Sequence, residues 1–573
     1  MAEKKVKTTK RKTLAEQKTT KAKTKTRKKT VAKVEAEKIS VQAEGVVLSA
    51  EKDDLSRGEK AVRVVLKYPK TAAFVLGVLL SAALPPYYQF WTVFLAFSGL
   101  MFLICGTNRI RKLCELGYWF GFGYFAAGFY WIGNALLIDV MQTGWLYPIV
   151  LLLNGAFFGL FTILPVAVTK YGRNIVSKML LFAAVWCLSA EWLRSFLLTG
   201  FPWNPISSVL GFSVPMMQIL SVLGTYGTSL LLVLTAVCPT IWLINPRKYN
   251  TVMLLLPVVV CLGLWQFGEY VLDIRPSVPD GNSIMVRLVQ PSIPQTLKWN
   301  REVLEDNLQT YVDLSRQNDI GYIDFTVWGE TAYPFDLRYD EKHRRKIAAA
   351  VPTYGYLITG FLRRVNDGYD YTPYNSFGVI NKKGELVDWY DKNHLVPFGE
   401  YIPLRKYLPE WVRPIANTVA EFGRGEKYKT LRIGNYPMFA PLICYEVIFS
   451  DEIVGREGEH PTWAVVLTND GWYGVSSGPY QHLVAAQMRA IEEGMTIVRS
   501  ANSGISAVIN AYGEIRAQIP LGAHAAKDAL VKPEEAHSTV FSRYGNRIPL
   551  AMSMMLILLA LMLSFVPALQ KNK

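Results

Sequence analysis

The stretch Ala440-Pro441-Leu442-Ile443-Cys444-Tyr445-Glu446 decides how this chain is read. Phe439 to Ile443 is a short apolar run that predicts a buried strand emptying into a turn. A turn at a sheet edge is a common place for a nucleophile to be presented. Cys444 is the only cysteine in the long polar half of the chain, whereas Cys105, Cys114, Cys187, Cys238 and Cys261 lie in or beside apolar segments. A disulfide would need a second thiol on the same side of a membrane, and the polar half offers none. Position alone leaves Cys444 either inert, packing as a small hydrophobe, or reactive.

Outward from this stretch, hydrophobicity is unevenly spread. With 51% hydrophobic residues the chain is too apolar for an ordinary soluble protein, and its 573 residues have room for more than one domain. Apolar segments of spanning length fall at about 71–88, 90–106, 115–136, 146–168, 179–198, 217–244 and 250–270, the first cut short by Pro85-Pro86. Residues 275–545 read as one globular domain, and 548–568 is an eighth apolar run. Arg109, Arg111 and Lys112 fall in one loop, Lys170, Arg173 and Lys178 in a second, Arg247 and Lys248 in a third, while the alternate loops hold no Lys or Arg. The positive-inside rule therefore places both termini in the cytoplasm and residues 275–545 outside.

Residues 1–65 form a basic tail: the first 33 positions hold 14 Lys and Arg against 2 Glu. The tail lacks the apolar periodicity of a core and is expected to be disordered. Next to a membrane domain such charge is expected to meet anionic lipid headgroups, and no nucleic-acid partner is expected. No short apolar core follows the first charges, so no cleavable signal peptide is expected. Within the 70–272 membrane region, Glu191 and Arg194 sit three residues apart and are expected to pair on one helix face. The stiff loop Gly200-Phe201-Pro202-Trp203-Asn204-Pro205 is expected at the outer interface among lipid headgroups.

In the outer half, strand-like runs recur at 284–290, 325–328, 356–361, 376–381, 386–390, 439–443, 464–468, 496–500 and 505–510. Helical stretches at 301–317 and 481–493 are interleaved with them, which predicts an α/β or α+β layered domain. Three polar sites follow these strands: Glu330 after Trp328-Gly329, Lys392 eight residues before Glu400, and Cys444 before Tyr445 and Glu446. A thiol is mostly protonated at neutral pH, so a nucleophilic cysteine needs a base or a nearby positive charge. A glutamate can take its proton, and a lysine can stabilise a thiolate or an oxyanion.

Glu330, Lys392 and Cys444 in this order and in these contexts resemble the Glu-Lys-Cys triad of the nitrilase superfamily, whose fold is a four-layer αββα sandwich. The flanking spans, with Glu191-Trp192-Leu193-Arg194, Gly200-Phe201-Pro202-Trp203, Leu395-Val396-Pro397-Phe398-Gly399-Glu400-Tyr401, Asn469-Asp470-Gly471-Trp472-Tyr473, Gln481-His482 and Arg489-Ala490-Ile491-Glu492, resemble its membrane-embedded branch, the bacterial apolipoprotein N-acyltransferases. The likeness covers roughly residues 70–568 and leaves out the basic tail. It implies a polytopic helical membrane domain of about eight spans in the inner membrane, carrying a periplasmic nitrilase-like domain. It further implies ping-pong transfer of an acyl chain from a phospholipid, typically phosphatidylethanolamine, to the α-amino group of a diacylglyceryl-cysteine apolipoprotein through a Cys444 thioester. Glu330 would be the base, Lys392 with the Tyr445 amide would hold the oxyanion, Glu400 would orient Lys392, and Tyr445 and Glu446 would shape the pocket. Trp203, Trp472 and Tyr473 are expected to contact substrate; the resemblance implies that Trp472 and Tyr473 form a mobile lid over the lipid, although they read equally well as an aromatic packing corner. Asn469-Asp470-Gly471 is first a turn signal. His394 and His482 show no metal-ligand spacing, so no metal and no cofactor is expected. The alternatives are a membrane-anchored nitrilase-type amidohydrolase, in which water replaces the amine, and an inactive lipid- or lipoprotein-binding protein.

Overall fold

The computed structural model describes residues 63–278, 283–318, 320–366, 371–409, 412–415, 420–426, 428–454 and 460–565. The basic tail up to residue 62 and the C-terminal Gln570 to Lys573 lie outside the described residues.

The apolar runs form helices because a helix satisfies every backbone polar group within its own segment, as hydrocarbon demands. Five of them are long and apolar enough to cross a membrane among the described residues: Val140–Tyr171, Ile175–Ser195, Leu220–Ile244, Thr251–Asp273 and Arg547–Ser564. The first two expected spans are shorter apolar helices, Pro69–Ser81 and Trp91–Cys105. The third begins early and breaks, as helix Ile110–Gly128 followed by a tighter 3-10 stretch Tyr130–Leu137. Small residues let these helices close on one another: a Cβ at Gly77 would lie 2.0 Å from the Phe120 carbonyl oxygen.

Two expectations for this region are corrected. Glu191 and Arg194 do not pair, because the helix loosens into a π-helical turn at Trp186–Trp192 and turns them to different partners. Arg194 donates to the carbonyls of Ala190 (2.9 Å), Phe201 (2.5 Å) and Trp203 (2.7 Å), and Glu191 accepts from the Ile206 amide at 2.9 Å. Those bonds fold the loop at 200–205 back into the protein, so Trp203 is 3% exposed instead of resting among headgroups.

The C-terminal half is built on two sheets. One has the order β11-β1-β2-β3-β4-β5, with β1 Ile284–Gln290, β2 Phe325–Val327, β3 Tyr356–Asn366, β4 Tyr371–Asn381, β5 Leu386–Asp391 and β11 Ala525–Val531. The other has the order β10-β9-β8-β7-β6, with β6 Phe439–Ile443, β7 Trp463–Thr468, β8 Thr496–Ala501, β9 Ser506–Ile509 and β10 Ile515–Ile519. The strands β1, β2 and β3 run parallel, as do β6, β7 and β8. The sheets pack face to face through Val286, Leu288, Phe325 and Val327 against Phe439, Trp463, Val465 and Val498. Helices Leu304–Ser315 and Glu341–Ile347 cover the first sheet, completing two of the expected four layers. The sequence patterning misses β10 and β11, whose polar and alanine-rich stretches carry little β-propensity.

The fourth layer, helix Gly478–Glu493, is buried on both sides, with the second sheet beneath it and membrane helices above. Apart from the exposed Tyr480 the helix is largely shielded from water, and its polar side chains bond across the junction. Gln481 accepts from the indoles of Trp131 (2.9 Å) and Trp203 (3.1 Å). Glu492 accepts from the Thr225 amide (2.5 Å) and hydroxyl (2.7 Å) and from Ser450 (3.0 Å), and pairs with Arg489 at 2.9 Å. Glu492→Ala strands a buried guanidinium and three donors, a loss of about 3–5 kcal/mol. The expected result is a clear fall in Tm in detergent; a Tm unchanged from wild type would disprove that this carboxylate holds the two halves together.

Candidate active site

The three acid, lysine and cysteine sites expected from sequence converge at one end of the sandwich. Glu330 follows β2, Lys392 directly follows β5, and Cys444 directly follows β6. Gly360 on β3 makes room for the first of these turns, since a Cβ there would lie 2.3 Å from the Thr331 amide nitrogen. Cys444 has φ of 51°, a left-handed conformation that is rare for a residue with a side chain and concentrates at functional sites.

Glu446 holds that conformation. One of its carboxylate oxygens accepts from the Ile443 amide at 2.7 Å, and the other accepts from the Tyr390 hydroxyl (2.7 Å) and the amides of Asn393 (2.7 Å) and His394 (3.2 Å). One buried carboxylate thus ties the turn bearing Cys444 to the turn bearing Lys392. Tyr445, expected to shape the pocket, does line it, and its hydroxyl donates to the Gly200 carbonyl at 2.7 Å. Nearby, Tyr401 and Thr199 share a hydrogen bond, and a ring nitrogen of His394 lies 2.6 Å from the Thr199 carbonyl oxygen.

Lys392 is 1% exposed and lies 2.9 Å from Glu400 and 3.6 Å from Glu330. Burial works against its charge, but the Glu400 and Glu330 carboxylates outweigh it and hold the ammonium above the ordinary lysine value. Asn375 on β4 donates to Glu330 (2.7 Å) and Glu400 (3.1 Å), fixing both acids around the lysine. The Cys444 thiol is pushed well up, first by burial and then by the Glu330 charge, against the pull of Lys392. At rest it is a protonated thiol beside a carboxylate able to take its proton.

Sequence reasoning missed several neighbours. The Thr468 hydroxyl donates to Cys444 Sγ at 3.1 Å. Asp470 is no mere turn residue: it begins the 3-10 turn Asp470–Tyr473, buried, 2.8 Å from His482 and 2.6 Å from Arg499. Burial would raise its carboxyl, yet Arg499 and His482 hold it below the usual range. Cys444, Asp470 and His482 bring one ligand atom each within 4.8 Å of the others. The Arg499 guanidinium already neutralises that cluster, and His482 bonds Asp470 and the Cys444 carbonyl, so the set does not fit a cation. An arginine inside the apolar strand Thr496–Ala501 is the one signal that could have exposed this network. Lys298, at the end of the short helix Gln295–Lys298, left no such signal.

The site opens on a cavity of about 780 Å³. Glu330, Lys392, Cys444 and Glu400 line it on one side, and Val150, Leu153, Phe157 and Phe161 of the membrane helices line it on the other. Trp203, Trp472 and Tyr473 line it too. Tyr473 also packs as an aromatic corner, its ring 4.6 Å from Trp131 and 5.6 Å from Trp203.

The two-sheet half of the chain, residues 285–532, matches the family described as carbon-nitrogen hydrolase. Residues 76–238 match the apolipoprotein N-acyltransferase N-terminal domain. A relative from Rhodopseudomonas palustris, named apolipoprotein N-acyltransferase, is 35% identical over 511 residues, covering 85% of this chain and 94% of its own. One of the same name from Bradyrhizobium diazoefficiens is 36% identical over 513 residues, covering 86% and 94% respectively. A carbon-nitrogen hydrolase structure from Helicobacter pylori G27 aligns over 51% of this chain and 100% of its own, at 15% identity and a TM-score of 0.34. The chain belongs to the apolipoprotein N-acyltransferase family.

Two outcomes follow from the geometry. Glu446→Ala leaves a hydroxyl and three amides without their acceptor, at about 1–3 kcal/mol each, and lets the cysteine and lysine turns drift apart. A lower Tm and a loss of acyltransferase activity on the order of 100-fold are expected; full activity would refute the clamp. Alkylation of Cys444 by iodoacetamide should keep accelerating well above pH 9, because the folded thiol releases its proton later than a free thiol near 8.5. A plateau by about pH 9 would contradict the raised value.

Proposed function

We propose that this chain moves an acyl chain from a membrane phospholipid, phosphatidylethanolamine foremost, to the α-amino group of a diacylglyceryl-cysteine apolipoprotein, the last step in maturing a lipoprotein. The observation that carries this reading is the shared cavity: the thiol of Cys444 and the apolar side chains of the membrane helices line the same space. A hydrolase of small soluble amides needs no such floor, whereas an acyl ester in a bilayer needs one to bring its carbonyl to the thiol.

In the first half-reaction Glu330 takes the Cys444 proton as sulfur attacks the sn-1 ester carbonyl. Lys392 and the Tyr445 amide stabilise the oxyanion, while Glu400 keeps the lysine charged and aimed. Collapse breaks the ester C–O bond, the leaving lysophospholipid alkoxide takes the proton back from Glu330, and the acyl group remains on sulfur as a thioester. In the second half-reaction the lipoprotein amine attacks the thioester and loses its proton to Glu330. The C–S bond breaks, and the thiolate recovers that proton. The topology that goes with this reading has eight spans, cytoplasmic termini and the catalytic domain on the periplasmic face of the inner membrane, and the distribution of basic loops supports it.

Incubating the purified full-length protein with phosphatidylethanolamine should add one acyl mass by intact mass spectrometry. Hydroxylamine should remove it, and Cys444→Ser should lack it. Release of free fatty acid without any adduct, or no consumption of phospholipid, would sink the proposal.

A further inference from the structure

The cavity is chemically two-ended. Val150, Leu153, Phe157, Phe161 and Leu197 make one end apolar, and Gln295, Lys298 and Asn469 stand at the polar wall beside Glu330. Four cations line it among the described residues: Arg194, Lys298, Lys392 and Arg413. Lys392 is neutralised by Glu400 and Glu330, and Arg194 is engaged by three backbone carbonyls on the membrane side. Arg413 is exposed, where water and salt screen its charge.

Lys298 differs from all three. It is only 6% exposed, and its ammonium donates to two neutral oxygens, the Glu330 carbonyl at 2.8 Å and the Thr331 hydroxyl at 2.9 Å. An ammonium has three protons to donate, so one remains for a group in the cavity. Burial pulls this ammonium down to about 8 although Glu330 and Cys444 both act to raise it. That is the condition of a buried cation lacking a counter-ion of its own.

We propose that Lys298 forms a phosphate subsite, binding the phosphodiester anion of the acyl donor and so selecting phospholipids over neutral glycerides. The inference rests on the acyltransferase reading above and adds to it a residue and a ligand group. In a glycerophospholipid only the glycerol backbone separates the sn-1 ester from the phosphate. With the ester carbonyl at Cys444 and the chain in the apolar end, the phosphate falls within a glycerol's length of the thiol, on the polar wall. Lys298 stands there, close enough to interact electrostatically with both Cys444 and Glu330. A lysine ammonium suits a diester as a compact point charge, and the subsite supplies the missing anion without another acidic side chain.

The test compares acyl-enzyme formation on the full-length protein from two donors with identical chains, phosphatidylethanolamine and diacylglycerol, in mixed dodecyl maltoside micelles. Wild type should favour the phospholipid in kcat/KM by roughly tenfold to hundredfold, the range of a charge-assisted hydrogen bond. Lys298→Met should shrink that ratio toward one, and Lys298→Arg should keep most of it. A wild type that uses both donors equally, or a Lys298→Met ratio equal to that of wild type, would overturn the subsite while leaving the acyltransferase reading intact. No adduct from either donor would overturn both. Millimolar inorganic phosphate should leave the wild-type ratio unchanged; a ratio collapsed by phosphate would assign the subsite to the free anion and overturn the lipid assignment.

Discussion

The Glu446 carboxylate is the constraint on which the site depends. Cys444 sits in a backbone conformation that costs free energy, on a turn from one sheet, and Lys392 sits on a turn from the other. Nothing in the packing of two apolar faces would fix the distance between those turns to within a fraction of an ångström. A single acid accepting from Ile443 on one turn and from Asn393 and His394 on the other does fix it. Burial raises that acid above the usual carboxylate range, and the donors around it, with Lys392 nearby, offset only part of the penalty.

The lysine follows the same logic with the signs reversed. A cation with 1% exposure is tolerated only because Glu400 and Glu330 face it, and Asn375 keeps both acids from turning away. The polar centre is therefore a closed set of charges with the thiol beside it. This is the arrangement that nucleophilic acyl chemistry asks for, in which donors are in place before charge develops.

Much of this was legible in the sequence because it depended on local pattern. The strand run ending at Cys444, the acid after Trp328-Gly329 and the lysine eight residues before Glu400 each announced a strand end, and the fold brings them together. The long apolar segments were legible as helices, though their lengths were not, since where a span loosens into π or 3-10 turns is set by neighbours such as the loop that Arg194 and Glu191 draw inward. What stayed hidden depended on long-range contact. Thr468 and Asp470 meet Cys444, and Arg499 meets Asp470, only after β6, β7 and β8 are laid side by side. Lys298 reaches Glu330 across 32 residues of chain from a four-residue helix that no periodicity marks. Trp203 looked like an interfacial aromatic because its sequence neighbours are; its indole is claimed by Gln481, 278 residues away.

Helix Gly478–Glu493 has one further meaning. In a free-standing sandwich the outer layer has a wet face, and evolution can vary that face with little penalty. Here most of both faces is interior, so the layer belongs equally to the enzyme and to its anchor. A gene fragment encoding only the sandwich would expose a helix face that is covered here, lacking the Trp131 and Trp203 partners of Gln481 and the Thr225 partner of Glu492. Catalytic part and membrane part must therefore be inherited, inserted and folded as a unit, and a lineage could not shed its spans without rebuilding an entire layer of the enzyme.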